Sequence, residues 1–284
     1  MPNMRMNYRK KDGYIGMIKE SKKFLHNIDV IEFDMTTSCT RKCTFCAPGI
    51  PVGRREKRIF LDHKQHVDIL KQIVLIDRDY HRKIVYCGHG EPTLHPQLGL
   101  FLQNTKKIVK NSKIMLSTNG DTFDKQLCLN IRDFVDVVVF DNYDDRVGKR
   151  VLEYAIQYNI LDKIRCKDHV GTKIGYSSRA GSVFTPNKIR YDNCFCPQRK
   201  LFCAAEGYWL LCCQDYAQTV KFKDIKLIDF LTDHRRNRII SMLSKKRGDV
   251  NPCKKCEIRM PKHPRQHIGD NWPRIDTINR LFLP

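Results

Sequence analysis

Long apolar runs are missing from this sequence: no segment approaches the roughly 18 apolar residues that a bilayer-spanning helix needs, so neither a spanning helix nor a membrane partner is expected. Met1 to Asn27 is basic but has no apolar centre of the kind a signal peptide carries, which leads to a cytoplasmic expectation. Internal repeats and low-complexity tracts are missing as well, which sets aside repeat architectures and biased, disordered chains. Acidic residues are few, 31 Asp and Glu against 52 Lys and Arg, and the formal charge of +21 could mark a nucleic acid or phosphate-bearing partner. The basic residues are nonetheless scattered in pairs around one denser run, Gly53 to Arg58, as on a solvated surface. Charge alone is therefore weak support for a nucleic-acid partner.

What is present is a chain of 284 residues, long enough for one large domain, or one of about 200 residues plus a small appendage. With 41% hydrophobic and 29% charged residues its composition is that of a globular protein rather than a disordered one. Thirteen cysteines would mean disulfides in a small secreted chain; in a large chain without an export signal they point to metal or catalysis. They also cluster: Cys39, Cys43 and Cys46 early, then Cys194, Cys196, Cys203, Cys212, Cys213, Cys253 and Cys256 late. Cys87, Cys128 and Cys166 stand alone in or beside apolar segments, where a free thiol behaves as a small hydrophobe.

The residues between these clusters alternate in period. "IDVIEFDMTT" (Ile28 to Thr37) reads as a strand running into the first cysteines, and Val67, Leu70, Ile73 and Val74 recur at helical spacing behind a potential N-cap, Asp62. Strand Lys83 to Cys87, helix Gln97 to Lys110, strand "KIMLST", helix Phe123 to Arg132, strand "VDVVVF", helix Val147 to Tyr158 and strand Lys163 to His169 follow. Short strands alternating with amphipathic helices imply right-handed crossovers and a parallel sheet. At least five such units suit a full or partial barrel better than an open sheet, and barrel chemistry sits on the loops that follow the strands. After Asn193 the pattern breaks: "LFCAA" and "YWLLC" flank Glu206-Gly207 as a hairpin, a helical stretch "LIDFLTDHRRNRIISMLSKK" leads to "NPCKKC", and the last 28 residues read as an extended tail.

Three thiols at the spacing of "CTRKCTFC" can wrap one corner of a cubic iron–sulfur cluster, leaving the fourth iron without a protein ligand. An open position on a metal is where substrate chemistry happens. The alternatives are zinc completed by a distant ligand such as His89 or His95, or incidental cysteines. Cys39, Cys43 and Cys46, with Phe45 before the last of them, resemble the signature of the radical S-adenosylmethionine superfamily. "GHGEP" (Gly88 to Pro92) resembles that family's Gly-Gly-Glu-Pro segment, with His89 in place of the first glycine, and "STNG" (Ser117 to Gly120) resembles its ribose-contacting strand end. The resemblance covers about residues 28 to 185.

That resemblance implies a partial (β/α)6 TIM-type barrel holding a [4Fe-4S] cluster on Cys39, Cys43 and Cys46, with S-adenosylmethionine on the open iron. The reduced cluster would cleave the sulfonium to a 5′-deoxyadenosyl radical that takes hydrogen from substrate, and the protein would place and shield that radical. An electron donor such as a flavodoxin or ferredoxin is implied as a partner. By the same resemblance Gly90 and Glu91 would receive the methionine amino group, Ser117 would reach the ribose, and Arg179 would pair with the methionine carboxylate. The plain alternatives are a strand-end turn residue for Ser117 and a surface arginine for Arg179.

"CFCP", "EGYWLLCC" and "CKKC" resemble the auxiliary-cluster region called SPASM or, in its shorter form, Twitch. This implies a second, auxiliary [4Fe-4S] cluster on Cys194, Cys212, Cys253 and Cys256, with Cys196 competing with Cys194 for the first position. Read from residue chemistry alone, such a sulfur-only set suits zinc or iron–sulfur equally. Cys203 alternates with Leu201 and Ala205 as a core residue, and Cys213 points away from Cys212 if both lie in a strand. The chain then divides into a basic segment at 1–27, the barrel at 28–185, a hairpin-plus-helix auxiliary region at 186–256 and the tail at 257–284.

The expectation is a radical enzyme, performing a net oxidation or rearrangement on a peptide or protein side chain or on a small molecule such as a sugar or nucleotide. A different class, a zinc-stabilised nucleic-acid-binding protein, would give zinc on purification and salt-sensitive binding, and would have no use for "GHGEP" and "STNG".

Overall fold

A computed structural model describes residues 4–43, 46, 58–170, 193–245, 250–256, 272–278 and 281, with side chains from Gly13 onward. The first element, α1 (Met4–His26), leads into β1 (Val30–Asp34). Four strand-and-helix repeats follow: α2 (His63–Ile76), β2 (Lys83–Cys87), α3 (Leu98–Ile108), β3 (Lys113–Thr118), α4 (Lys125–Phe134), β4 (Val137–Asn142), α5 (Asp145–Gln157) and β5 (Ile164–Asp168). Asp62, Asp124 and Asp144 start α2, α4 and α5, each carboxylate accepting a backbone N–H from the first turn.

The sheet order is β5-β4-β3-β2-β1, all parallel, the α/β partial-barrel arrangement expected from the alternation. Period-two alternation sends the strands' side chains to two sides. Ile31, Phe33, Ile84, Tyr86, Ile114, Leu116, Val138, Phe140 and Ile164 face the helices and share the main core with Leu70, Ile73, Phe101, Leu102, Ile131 and Val151. Val30, Val85, Met115, Val137 and Val139 form a separate apolar plug. One step farther along the same strands, Glu32, Cys87, Ser117, Asp141 and Lys167 open into a cavity. The C-terminal ends of the strands therefore carry the polar surface, as in barrel enzymes.

The late hairpin does not stand apart from this sheet. A short helix α6 (Cys196–Arg199) feeds β6 (Lys200–Cys203), which pairs in parallel with β1 in the register Val30↔Lys200, and then antiparallel with β7 (Trp209–Leu210), which pairs with β8 (Lys221–Phe222). Gly207, at φ +85°, makes the β6–β7 turn. The helical stretch after it is two helices, α7 (Leu227–Thr232) and α8 (His234–Lys245), broken where the Asp233 carboxylate accepts the Arg236 N–H at 2.7 Å. The Arg236 side chain is buried and donates to the Pro197 carbonyl at 3.0 Å, which ties α8 to α6.

Two further differences from the sequence reading concern the ends. The basic N-terminal segment is helical, and its Leu25 is buried while Ser21 donates to the Ile228 carbonyl of α7 at 3.2 Å. Part of the segment read as a tail docks on β5: Arg274 bridges Arg165, the Cys166 N–H donates to the Pro273 carbonyl at 2.8 Å, and Ile275 is fully buried. No helix among the described residues is long and apolar enough to cross a membrane.

Beneath α2 the core holds one polar chain. His66 Nε2 lies 2.9 Å from the Tyr86 hydroxyl, which bonds Thr105. Burial pushes the His66 imidazole down from 6.5 to about 3. Between those values the unfolded chain binds the extra proton, so this residue's support for the fold is lost as pH falls from 6.5 toward 3. The His66→Gln variant should lose that dependence: the gap in unfolding free energy between wild type and variant should shift by about 0.7 kcal/mol from pH 7 to 6 and about 1.2 kcal/mol from pH 6 to 5, read from urea titrations at those three pH values. A gap that stays constant over this range contradicts the assignment.

Candidate active site and thiol clusters

The chain leaving β1 is pinned before it reaches its cysteines. Thr36 bridges Phe60, the Thr37 N–H donates to the Ile59 carbonyl at 3.0 Å, and the Thr36 hydroxyl donates to the same carbonyl at 2.9 Å. Beyond this stem, Cys39, Cys43 and Cys46 all line a single cavity of about 390 Å³. The Arg41 N–H points at Cys39 Sγ, 3.4 Å away, and Asn119 Nδ2 approaches the same sulfur at 3.7 Å. Arg41 Nε donates to Asp121 at 2.8 Å, the Thr40 hydroxyl donates to the same carboxylate at 2.7 Å, and the Arg41 guanidinium lies over the Tyr143 ring. Burial alone would raise the Asp121 carboxyl, but the hydrogen bonds from Arg41 and Thr40 win and hold it below the usual carboxylate range. The cysteine segment is thus fastened to the end of β3.

"GHGEP" makes the second fastening. A Cβ on Gly90 would collide with the carbonyl oxygens of Thr36 and Ser38, and the next N–H, that of Glu91, donates to the Ser38 carbonyl at 2.7 Å. Only glycine allows β2's end this close to the cysteine stem. The Glu91 carboxylate is 3% exposed and accepts from the Thr118 hydroxyl at 2.7 Å, the Thr93 hydroxyl at 2.6 Å and the Asn119 N–H at 2.9 Å. Burial raises its pKa against these bonds. Its side chain therefore joins strand ends, while the Gly90 and Glu91 positions themselves line the cavity. His89, in place of a glycine, is buried: its N–H donates to Asp34 at 3.0 Å, its Nδ1 lies 3.3 Å from the same carboxylate, and its ring rests on Phe202 and Tyr216. That ring carries the β6–β8 extension onto the β2 end.

At the ends of β3, β4 and β5 the Ser117 hydroxyl donates to Asp141 at 3.3 Å, and Asp141 also receives His169 Nε2 at 3.1 Å, with Lys167 Nζ at 3.6 Å. His169 stacks on Tyr143. Ser117, Asp141, Tyr143 and Lys167 all line the cavity. Arg179 and Phe45 lie outside the described residues.

Of the late cysteines, Cys196, Cys212 and Cys213 bring their sulfurs within 4.8 Å of one another, with Cys196 and Cys212 at 3.4 Å. The crowding of Cys212 by Cys196 and Cys213, followed by burial, pushes the Cys212 thiol well above its ordinary value, a situation that metal coordination would relieve. Cys213 joins this set because Cys212 and Cys213 lie past the end of β7, where strand alternation no longer applies. Cys194, Cys253 and Cys256 are each buried, the last two on one short turn with the Cys256 N–H donating to the Cys253 carbonyl at 3.1 Å, and are not in that close group. Cys203 is fully buried in the core, as its alternation with Leu201 implied.

One pair on the cavity wall carried no sequence motif. Lys200 rises from the register of Val30 to place Nζ 2.6 Å from Glu32 Oε1 and 3.9 Å from Cys213 Sγ. Burial pushes the Glu32 carboxyl up to about 7, against the pull of the Lys200 ammonium. The available signal was an acidic residue, Glu32, between the apolar residues Ile31 and Phe33 of the strand "VIEFD".

Residues 33–143 match the family described as the Radical SAM superfamily. A stretch of 106 residues is 27% identical to a GTP 3′,8-cyclase of Chlorobaculum tepidum, covering 37% of this chain and 30% of that protein. Another of 92 residues is 26% identical to an S-adenosyl-L-methionine-dependent 2-deoxy-scyllo-inosamine dehydrogenase of Niallia circulans, covering 32% and 35%. The chain thus spans about a third of the length of these two curated relatives. In fold it is similar to BtrN in complex with AdoMet and 2-DOIA, with a TM-score of 0.70 at 19% identity over 84% of this chain and 98% of that one. It is also similar to Streptococcus suis SuiB bound to precursor peptide SuiA, with a TM-score of 0.54 at 15% identity over 90% and 77%.

Replacing Gly90 with Ala should displace the cysteine stem, because both obstructing atoms are backbone carbonyls. We expect Gly90→Ala to lower the unfolding free energy by about 2 kcal/mol and to reduce iron retention, measured by urea denaturation and metal analysis. A variant matching wild type in both would contradict the close-approach account.

Proposed function

We propose that this chain, whose residues 33–143 carry a Radical SAM superfamily domain, is a radical S-adenosylmethionine enzyme of oxidoreductase type. Cys39, Cys43 and Cys46 are its ligands to a [4Fe-4S] cluster. The observation that carries the reading is their convergence on one cavity with Gly90, Glu91 and Ser117, the ends of three successive parallel strands. The residues fit the group. Three thiols with no fourth nearby in the signature leave one position open, and Gly90 lets the end of β2 pack against the stem that carries them. When bound, the cluster and S-adenosylmethionine supply a reductively generated 5′-deoxyadenosyl radical.

The chain's own residues orient and enclose. By the family resemblance, Gly90 and Glu91 would present backbone at the end of β2 for the methionine amino group, Ser117 would offer its hydroxyl to the ribose, and Arg179, outside the described residues, would pair with the methionine carboxylate. Phe202, Tyr216 and Trp272 in the cavity wall exclude water from the space where hydrogen is abstracted.

Cys194, Cys212, Cys253 and Cys256 would hold a second, auxiliary cluster, a reading supported by the burial of Cys194, Cys253 and Cys256; the closeness of Cys212 to Cys196 favours Cys196 over Cys194 for the first position. Cys213, next to the proposed ligand Cys212, lines the cavity, and this supports the reading that the second cluster would accept an electron from a substrate radical in a net oxidation. An external flavodoxin or ferredoxin supplies the first electron. The substrate is a small molecule or a peptide. A nucleotide, as in the name GTP 3′,8-cyclase, and an aminocyclitol, as in the name of the dehydrogenase, are both within the range of the relatives.

Anaerobically reconstituted protein should hold about eight irons, and the joint Cys39→Ala, Cys43→Ala and Cys46→Ala variant about four, with reductive formation of 5′-deoxyadenosine abolished. Unchanged iron in that variant, or zinc in place of iron, would overturn the proposal.

A further inference from the structure

The lower level of the cavity wall is apolar, with Val85, Met115 and Val139, except at one place where Glu32 on β1 and Lys200 on β6 form an ion pair. Glu32 is 6% exposed. A buried ion pair is poor at stabilising a fold, since apolar residues of the same volume generally do as well or better. Position offers a better explanation. Both side chains border the cavity that also takes in Cys39, Cys43, Cys46 and Cys213. Lys200 uses one N–H on Glu32 and a second toward Cys213, while an ammonium has three donors and a carboxylate about four acceptor positions. The pair therefore presents a donor and an acceptor side by side.

The charges around it narrow the ligand further. The other cations on the wall have carboxylates of their own, Arg41 with Asp121 and Lys167 with Asp141. Among the described residues the wall therefore offers no cluster of unmatched cations for a triphosphate, and Glu32 itself repels one. An ammonium group would in turn be repelled by Lys200. Two hydroxyls on adjacent carbons fit a donor beside an acceptor with no net charge: one donates to Glu32 and the other accepts from Lys200. Peptide amides also offer a donor beside an acceptor, but a ring polyol repeats the diol around its edge, so more than one orientation engages the pair, and an amide-bearing serine probe is the competitor.

We infer that Glu32 and Lys200 are the substrate-reading pair of this cavity and that their ligand is an uncharged, polyhydroxylated ring compound, a cyclitol or sugar. This deepens the proposed function and rests on its placing of the active site in this cavity.

The test is calorimetric titration of anaerobic, reconstituted, S-adenosylmethionine-loaded protein with myo-inositol, D-glucose, GTP and N-acetylserinamide as probes. Saturable binding of myo-inositol or glucose is expected, weakened roughly 10- to 100-fold in Glu32→Gln and in Lys200→Met. Glu32→Gln keeps shape and removes charge, so its thermal midpoint and iron content serve as the check on folding, and it suffices if Lys200→Met fails to fold. Binding of neither polyol, tighter binding of GTP or the serine probe, or polyol affinity unchanged in folded Glu32→Gln would each overturn the inference. The wild type's reductive formation of 5′-deoxyadenosine separates the two levels. If it occurs without polyol binding, only the substrate reading is lost; if it does not occur, the radical reading falls as well.

Discussion

The Glu91 carboxylate sits where three strand ends meet, and the geometry of the cavity depends on the hydrogen bonds it accepts. Thr93 belongs to its own turn after β2, while Thr118 and Asn119 belong to the end of β3. The backbone N–H of the same residue reaches the Ser38 carbonyl one position before the first cysteine. A buried carboxylate is expensive unless its oxygens are satisfied, and here satisfying them ties the end of β3 to that of β2, while the Glu91 N–H ties in the segment after β1. Gly90 sets the distance and Glu91 sets the direction.

A second set of contacts brings the later part of the chain to the same place. His89 extends from "GHGEP" to Asp34 on β1 and lays its ring against Phe202 of β6 and against Tyr216. Parallel pairing of β6 with β1 then delivers Lys200 to Glu32 and sets Cys213 on the cavity wall. The cavity wall thus takes in thiols from both parts of the chain, Cys39, Cys43 and Cys46 from the segment after β1 and Cys213 from the segment after β7.

What could be read in the sequence was local. "KIVYC" and "KIMLST" coincide with β2 and β3, and Asp62 caps α2, because strand period and cap chemistry act over a few residues. "CTRKCTFC", "GHGEP" and "STNG" were legible as motifs, and the structure draws residues of all three to one cavity. The pairing of Val30 with Lys200 spans most of the chain and leaves no periodic trace, so the hairpin could be anticipated but not its continuation of the barrel sheet. The helicity of α1 was hidden behind a reading of charge alone. The burial of Ile275 was hidden likewise, since docking against β5 is a long-range event. The meeting of Cys196 with Cys212 and Cys213 depends on where the chain leaves β7, which alternation cannot supply.

The central claim is that the cluster held by Cys39, Cys43 and Cys46 keeps one iron open for S-adenosylmethionine. Electron–nuclear double resonance on the reduced protein, loaded with S-adenosylmethionine carrying a ¹⁵N-labelled amino group, addresses that iron directly. A nitrogen hyperfine coupling to the cluster that vanishes in the Cys39→Ala, Cys43→Ala and Cys46→Ala protein is the predicted result. A reduced cluster whose spectrum shows no such coupling would contradict it.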